Sequence, residues 1–103
     1  MKRLVNFELP ERAGDRVLGF EPAYLDTGTM AIYRSRFADG RPARFHILDG
    51  LPEAVVWNRS AAGHVTVAKP TLVAGYVRAG YFYTRRAAAR AILEWGSEAI
   101  SEV

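Results

Sequence analysis

YFYTRRAAARAILEWG, residues 81–96, carries the chain from one periodicity to another. Tyr81-Phe82-Tyr83 is aromatic and extended in character. From Thr84 onward the pattern is helical. Threonine caps a helix start by accepting a backbone N–H of the first turn. Ala88, Ile92, Trp95 and Ala99 then recur at the spacing of one helix face. This predicts a helix that follows Thr84 and stops near Gly96, with Ser97 capping a further short turn. Its charges run against the helix dipole: Arg85, Arg86 and Arg90 crowd the start, and Glu94, Glu98 and Glu102 follow. Each such end charge is unfavourable by up to about 1 kcal/mol when exposed.

Working back from the helix, the segments read as strand and turn. TLVAGYV (71–77) reads as a short helix or a strand with a bulge at Gly75, and its β-branched and aromatic content favours the strand. HVTVA (64–68) alternates, and Lys69-Pro70 ends it or places it at an edge. AVVWN (54–58) is a further strand. TMAIYRSRF (29–37) and PARFHIL (42–48) flank Ala38-Asp39-Gly40-Arg41, a hairpin signal. A three-residue loop at 38–40 with left-handed Gly40 sets Tyr33 opposite Phe45 and Ala31 opposite Ile47. One face is then apolar, and the other carries Arg34, Arg36, Arg44 and His46. That register also sets Arg34 opposite Arg44, which is unfavourable by itself. Glu21 to Gly28 reads as loop, with Pro22 and Thr27-Gly28 as breakers. RVLGF (16–20) is a weak strand, KRLVNF (2–7) a first strand, and Leu9 to Arg12 one helical turn.

The expected fold is therefore α+β. Residues 1–103 form a single domain, with an antiparallel sheet of about five to six short strands and one C-terminal helix packed on it. The expected core is Tyr33, Phe45, Ile47, Val55, Trp57, Val65, Val67, Phe82, Ile92 and Trp95. Half of the 103 residues are hydrophobic, enough for one core without covalent staples.

Composition removes several function classes. Cysteine is absent, so thiolate and disulfide chemistry are excluded, and the two histidines have no spacing that suggests a zinc site. No stretch approaches the roughly 18 apolar residues of a membrane span. MKRLVNFELPER has no apolar run after its early basic residues, so no signal peptide is expected and a cytoplasmic location is the default expectation. Ser60 in NRSAAGH is no nucleophile elbow, and His46 and Asp49, three apart on a strand, face opposite sides. No phosphate-cradling glycine loop occurs. Neither catalysis nor a cofactor is expected.

The charge distribution is the remaining lead. Residues 34–90 carry nine arginines and Lys69 against Asp39, Asp49 and Glu53, a net of +7. Residues 1–33 have a net of −1 and residues 91–103 a net of −3. Two clusters follow: Arg34, Arg36, Arg41 and Arg44 on the hairpin, and Arg85, Arg86 and Arg90 at the helix start. Each is explained structurally by a solvated face. Functionally, each suits an anion, and helix starts bind anions readily. The leading expectation is a small non-enzymatic protein that engages nucleic-acid phosphates through these arginines. One alternative is an interaction module or inhibitor for an acidic protein. Another is a homodimer in which Arg86 and Arg90 meet Glu94 and Glu98 of an antiparallel copy. Tyr76, Tyr81, Phe82 and Tyr83 suggest either base stacking or core filling.

Two short likenesses lead to no family. YTRRAAARAI looks like the opening of excisionase-type and MerR-type DNA readers. Those proteins follow the Ala-Ala pair closely with a glycine turn and a second helix, whereas here Gly96 comes late and no recognition helix fits. RAGYFY (78–83) has a faint likeness to the RRM strand pattern, with glycine and aromatics in a different order.

Overall fold

The computed structural model describes residues 17–101, with side chains over 18–95; the readings of 2–7 and 9–12 lie outside them. Among these described residues six strands and one long helix follow in order: β1 (Glu21–Asp26), β2 (Ala31–Arg34), β3 (Val56–Arg59), β4 (Val65–Ala68), β5 (Leu72–Arg78), β6 (Tyr81–Thr84) and α1 (Arg85–Ser101). They form a four-stranded sheet, β2-β1-β5-β6, and a two-stranded sheet, β3-β4, with every pairing antiparallel. The chain is an α+β domain with its helix at the C-terminal end. Within the weak strand expected at 16–20, Val17–Gly19 is instead a 3-10 turn in which Leu18 has φ +54°.

β5 is the backbone of the larger sheet, seven residues paired with β1 on one side and β6 on the other. Gly75 sits in it without a bulge. A Cβ there would strike the Tyr83 carbonyl and the Phe82 ring, so glycine lets β6 close on β5.

The reading of Glu21 to Gly28 as a loop is wrong over β1, which is a central strand. Proline is excluded from central strands because it lacks the N–H, yet here the missing donor is not needed. The Pro22 carbonyl accepts from the Ser35 N–H at 2.9 Å. The Ser35 carbonyl, which a non-proline residue 22 would have bonded, accepts from Ala43 instead at 3.0 Å.

The hairpin is right at its tip and wrong along its arms. Phe37 N–H bonds the Arg41 carbonyl at 2.9 Å, Arg36 bridges Pro42, and Gly40 is left-handed at φ +92°. Beyond Ser35 the ladder stops. The buried Ser35 hydroxyl lies 2.8 Å from the Phe45 carbonyl and 3.1 Å from that of Ile47, and accepts from the Ile47 N–H at 2.8 Å. Residues 44–48 are thus fixed by a side chain rather than by a strand. β2 pairs with β1, setting Tyr33 opposite Tyr24 and Arg34 opposite Ala23. The expected pairs Tyr33–Phe45 and Ala31–Ile47 do not form. Arg34 meets Glu21 across the sheet in place of Arg44.

One face of the sheet is covered twice. At the β5-β6 end, Phe20, Tyr76 and Tyr83 receive Ala88, Ala91, Ile92 and Trp95 of α1. At the other end, Tyr24, Tyr33, Leu72 and Ala74 receive Leu48, Leu51, Val55 and Val56. A fully buried large side chain such as Phe20 contributes about 2–3 kcal/mol. His46 sits at the seam, 5.4 Å from the Tyr24 ring and 5.1 Å from the Tyr76 ring, edge-on to both. Three residues expected in the core are instead exposed: Phe45, Trp57 at 62% and Val67. Trp57 occupies the irregularity between the Val56–Ala68 and Asn58–Val67 pairs, which turns it outward.

Candidate interaction face on the C-terminal helix

β6 passes directly into α1, and Thr84 caps it: the Ala87 N–H donates to Thr84 Oγ1 at 3.1 Å. α1 runs through Gly96 to Ser101, past the expected stop. Its first turn holds no acidic residue and its last turn no basic one, so the conflict with the dipole is real.

The seven candidate arginines divide into two groups. On the hairpin side, Arg34 Nε bonds Glu21 Oε1 at 2.9 Å, and Arg36 Nη1 donates to the Gly40 carbonyl at 3.1 Å. Arg41 Nε bonds Asp39 Oδ2 at 2.8 Å while its guanidinium lies over the Phe37 ring. Arg44 is exposed and has no hydrogen-bonding or ionic partner among the described residues. On the helix side, Arg85 is half-buried and engaged. Arg86 and Arg90 are exposed and make no hydrogen bond or ion pair among the described residues, and neither does Glu94. These three line an open groove of about 340 Å³ together with Tyr83, Thr84, Ala87 and Ala91. The two groups do not adjoin along the sheet, because β2 and β6 are its opposite edge strands. Three strand spacings, about 14 Å, separate those edges.

The aromatic run divides as well. Tyr76 is buried, Tyr83 packs edge-on against Phe20 at 4.9 Å, and Phe82 is half-buried. Only Tyr81 is largely open, at 72%. Arg78 is likewise part of the packing: its guanidinium lies 4.6 Å from the Trp95 ring centroid and its Nε donates to the Leu18 carbonyl. Such a cation over an indole supports the aromatic cluster.

Three polar clusters escaped the sequence reading, since their members are far apart in the chain. Asp26 is buried on the core face and accepts from Lys69 Nζ at 2.8 Å, Thr71 Oγ1 at 2.6 Å and the Gly28 N–H at 2.8 Å. The bonds from Lys69 and Thr71 hold its carboxyl well below the usual range. Asp49 Oδ2 accepts from His64 Nδ1 at 2.8 Å and Oδ1 from the Val65 N–H at 3.0 Å, which lowers its pKa also. Arg59 ties the Gly63 carbonyl to Glu53 beside it. The third cluster is the Ser35 clamp. Tyr24 stands beside it, its phenol pushed up to about 12 by burial despite a bond to Ser35. All three pin turns to strands. Among the described residues no group of three His, Asp or Glu side chains is placed to hold a metal ion, and no helix is long and apolar enough to cross a membrane.

The mixed groove on α1 is thus where charged side chains converge without partners among the described residues. Comparison with protein-family models, with curated proteins and with solved structures yields no match.

Proposed function

We infer that this chain is a non-enzymatic protein-interaction module whose docking face is the outer side of α1 and the groove beside β6. The observation that carries this reading is the groove lining. Two guanidinium groups without partners among the described residues stand one turn apart, an anion follows one turn later, and Ala87 and Ala91 line the groove beside them with small side chains. A partner that presents carboxylates at helical spacing satisfies Arg86 and Arg90 and offsets their conflict with the dipole. Arginine suits this role, because its fork bonds a carboxylate through two N–H groups at once. Leu93, 63% exposed on the same outer side, adds an apolar contact.

Nucleic acid is the competing partner. It would use the same two arginines, but Arg34, Arg36 and Arg41 are engaged within the chain, so the hairpin offers no second free arginine cluster to follow a phosphate backbone. Fluorescence anisotropy of the full chain separates the two. The probes are a labelled helical peptide with glutamates at i, i+4 and a labelled mixed-sequence single strand. The peptide is expected to bind, and to weaken at least about tenfold when Arg86 and Arg90 are both changed to Glu, since interface arginines are common hot spots. Tighter binding of the single strand, falling steeply with salt, would put the nucleic-acid reading in its place.

A further inference from the structure

Resting on the reading of α1 as a docking face, we propose that the partner is a second copy of this chain, bound helix to helix in antiparallel orientation. The face is self-complementary in charge. Arg90 and Glu94 stand one turn apart, and both are exposed and unpaired among the described residues. Within one helix this order, cation before anion, is the weaker one for pairing. Between two helices it is a pairing code. A parallel copy brings arginine to arginine. An antiparallel copy, related by a two-fold axis on the outer side of α1 midway between Arg90 and Glu94, brings Arg90 to Glu94 of the second copy and Glu94 to its Arg90. The contact is isologous, with the same pair formed twice and no surface left to propagate into a fibre.

The remaining features of the face agree with a helix as occupant. Ala87 and Ala91 border the groove with small side chains, which permits a close interaxial approach. Leu93, 63% exposed, stands beside Arg90 on the flank away from the groove and adds an apolar contact at the rim. Antiparallel helices also set each positive start beside the other's negative end, which turns the dipole conflict of Arg86 and Arg90 into an attraction. β6 is an outer strand and therefore leaves the groove side of α1 open along the sheet.

The test is sedimentation of the full chain and three variants, Arg90→Glu, Glu94→Arg and the double swap, at about 100 µM, where contacts of modest affinity are populated. The chain itself is expected to be a dimer at low salt that dissociates as salt rises, because the pairs are partly exposed and screened. Each single variant sets like charges across the axis and should lose at least about tenfold in association. Mixing the two single variants should restore a dimer, because the two carboxylates of Arg90→Glu then face the two guanidinium groups of Glu94→Arg. The double swap should dimerise like the parent. Restoration on mixing also shows that both variants are folded. A monomeric parent chain, or a dimer indifferent to all three variants, overturns the proposal. If the parent is monomeric but still binds the acidic helical peptide through Arg86 and Arg90, α1 remains a docking face and the second copy is not its occupant. If it does neither, both readings fall.

Discussion

The Ser35 N–H donates to the Pro22 carbonyl at 2.9 Å, while the Ser35 carbonyl turns away to accept from Ala43. That exchange admits a proline to a central strand. It also fixes where the β1-β2 ladder ends and the hairpin tip begins, with the Ser35 side chain gripping residues 45 and 47 on the way.

Ser35→Ala removes that grip and leaves the Ile47 N–H without its acceptor in a part-buried setting. The expected loss is about 1–3 kcal/mol, the cost of an unsatisfied buried group. Urea denaturation of parent and variant measures it. A change under about 0.5 kcal/mol would mean that the 44–48 segment is held by other contacts.

These features explain what was legible in the sequence. The β6–α1 junction was, because Thr84 and the helical spacing of Ala88, Ile92 and Trp95 act locally. β5 and the hairpin tip were legible for the same reason: side-chain type and an Asp-Gly turn decide them within a few residues. β1 was not. Pro22 and Thr27-Gly28 are loop signals, but distant residues settle the strand: Ser35 bonds the Pro22 carbonyl, and Lys69 and Thr71 hold Asp26 at the strand end. The hairpin arms failed because alternation alone does not say which strand is the neighbour. β1, unseen, took the place assigned to 42–48. Of the arginines, sequence found the residues but not their partners, so it could not separate Arg34 and Arg41, both in ion pairs, from Arg86 and Arg90.

The two tryptophans should respond in opposite ways to removal. Trp95 stacks on Phe20 at 5.9 Å and carries Arg78 on its ring. Trp95→Ala is expected to cost about 3 kcal/mol, in the range for losing a large packed aromatic. Trp57, 62% exposed, should tolerate Trp57→Ser within about 0.5 kcal/mol. Thermal denaturation of both variants distinguishes them, and equal losses would place Trp57 in the core after all.

His46 should govern stability in mildly acidic solution. Its Nε2–H donates to the Gly75 carbonyl at 2.7 Å from between two tyrosine rings. Burial lowers its pKa below the ordinary 6.5, although the backbone bonds act the other way. With a lowered folded pKa, the unfolded chain binds the proton first. Stability is therefore full above pH 6.5 and falls as the pH drops below it, towards the folded value. Asp26 and Asp49, whose pKa values are also lowered, keep their contributions until the pH falls below about 3.8, then lose them. His46→Gln should flatten the stability profile between pH 6.5 and the carboxylate range and leave the acid limb intact. An unchanged slope there would assign it to another group.

The docking role of α1 is tested most directly by amide chemical shifts of the isotopically labelled full chain, followed as protein concentration rises at low salt. The expected movements gather at Thr84, Arg86, Ala87, Arg90, Leu93 and Glu94 and vanish in Arg90→Glu. Movements gathered instead at Trp57 and Val67 of the β3-β4 sheet, or at Arg44, would contradict it and move the interaction face away from the helix.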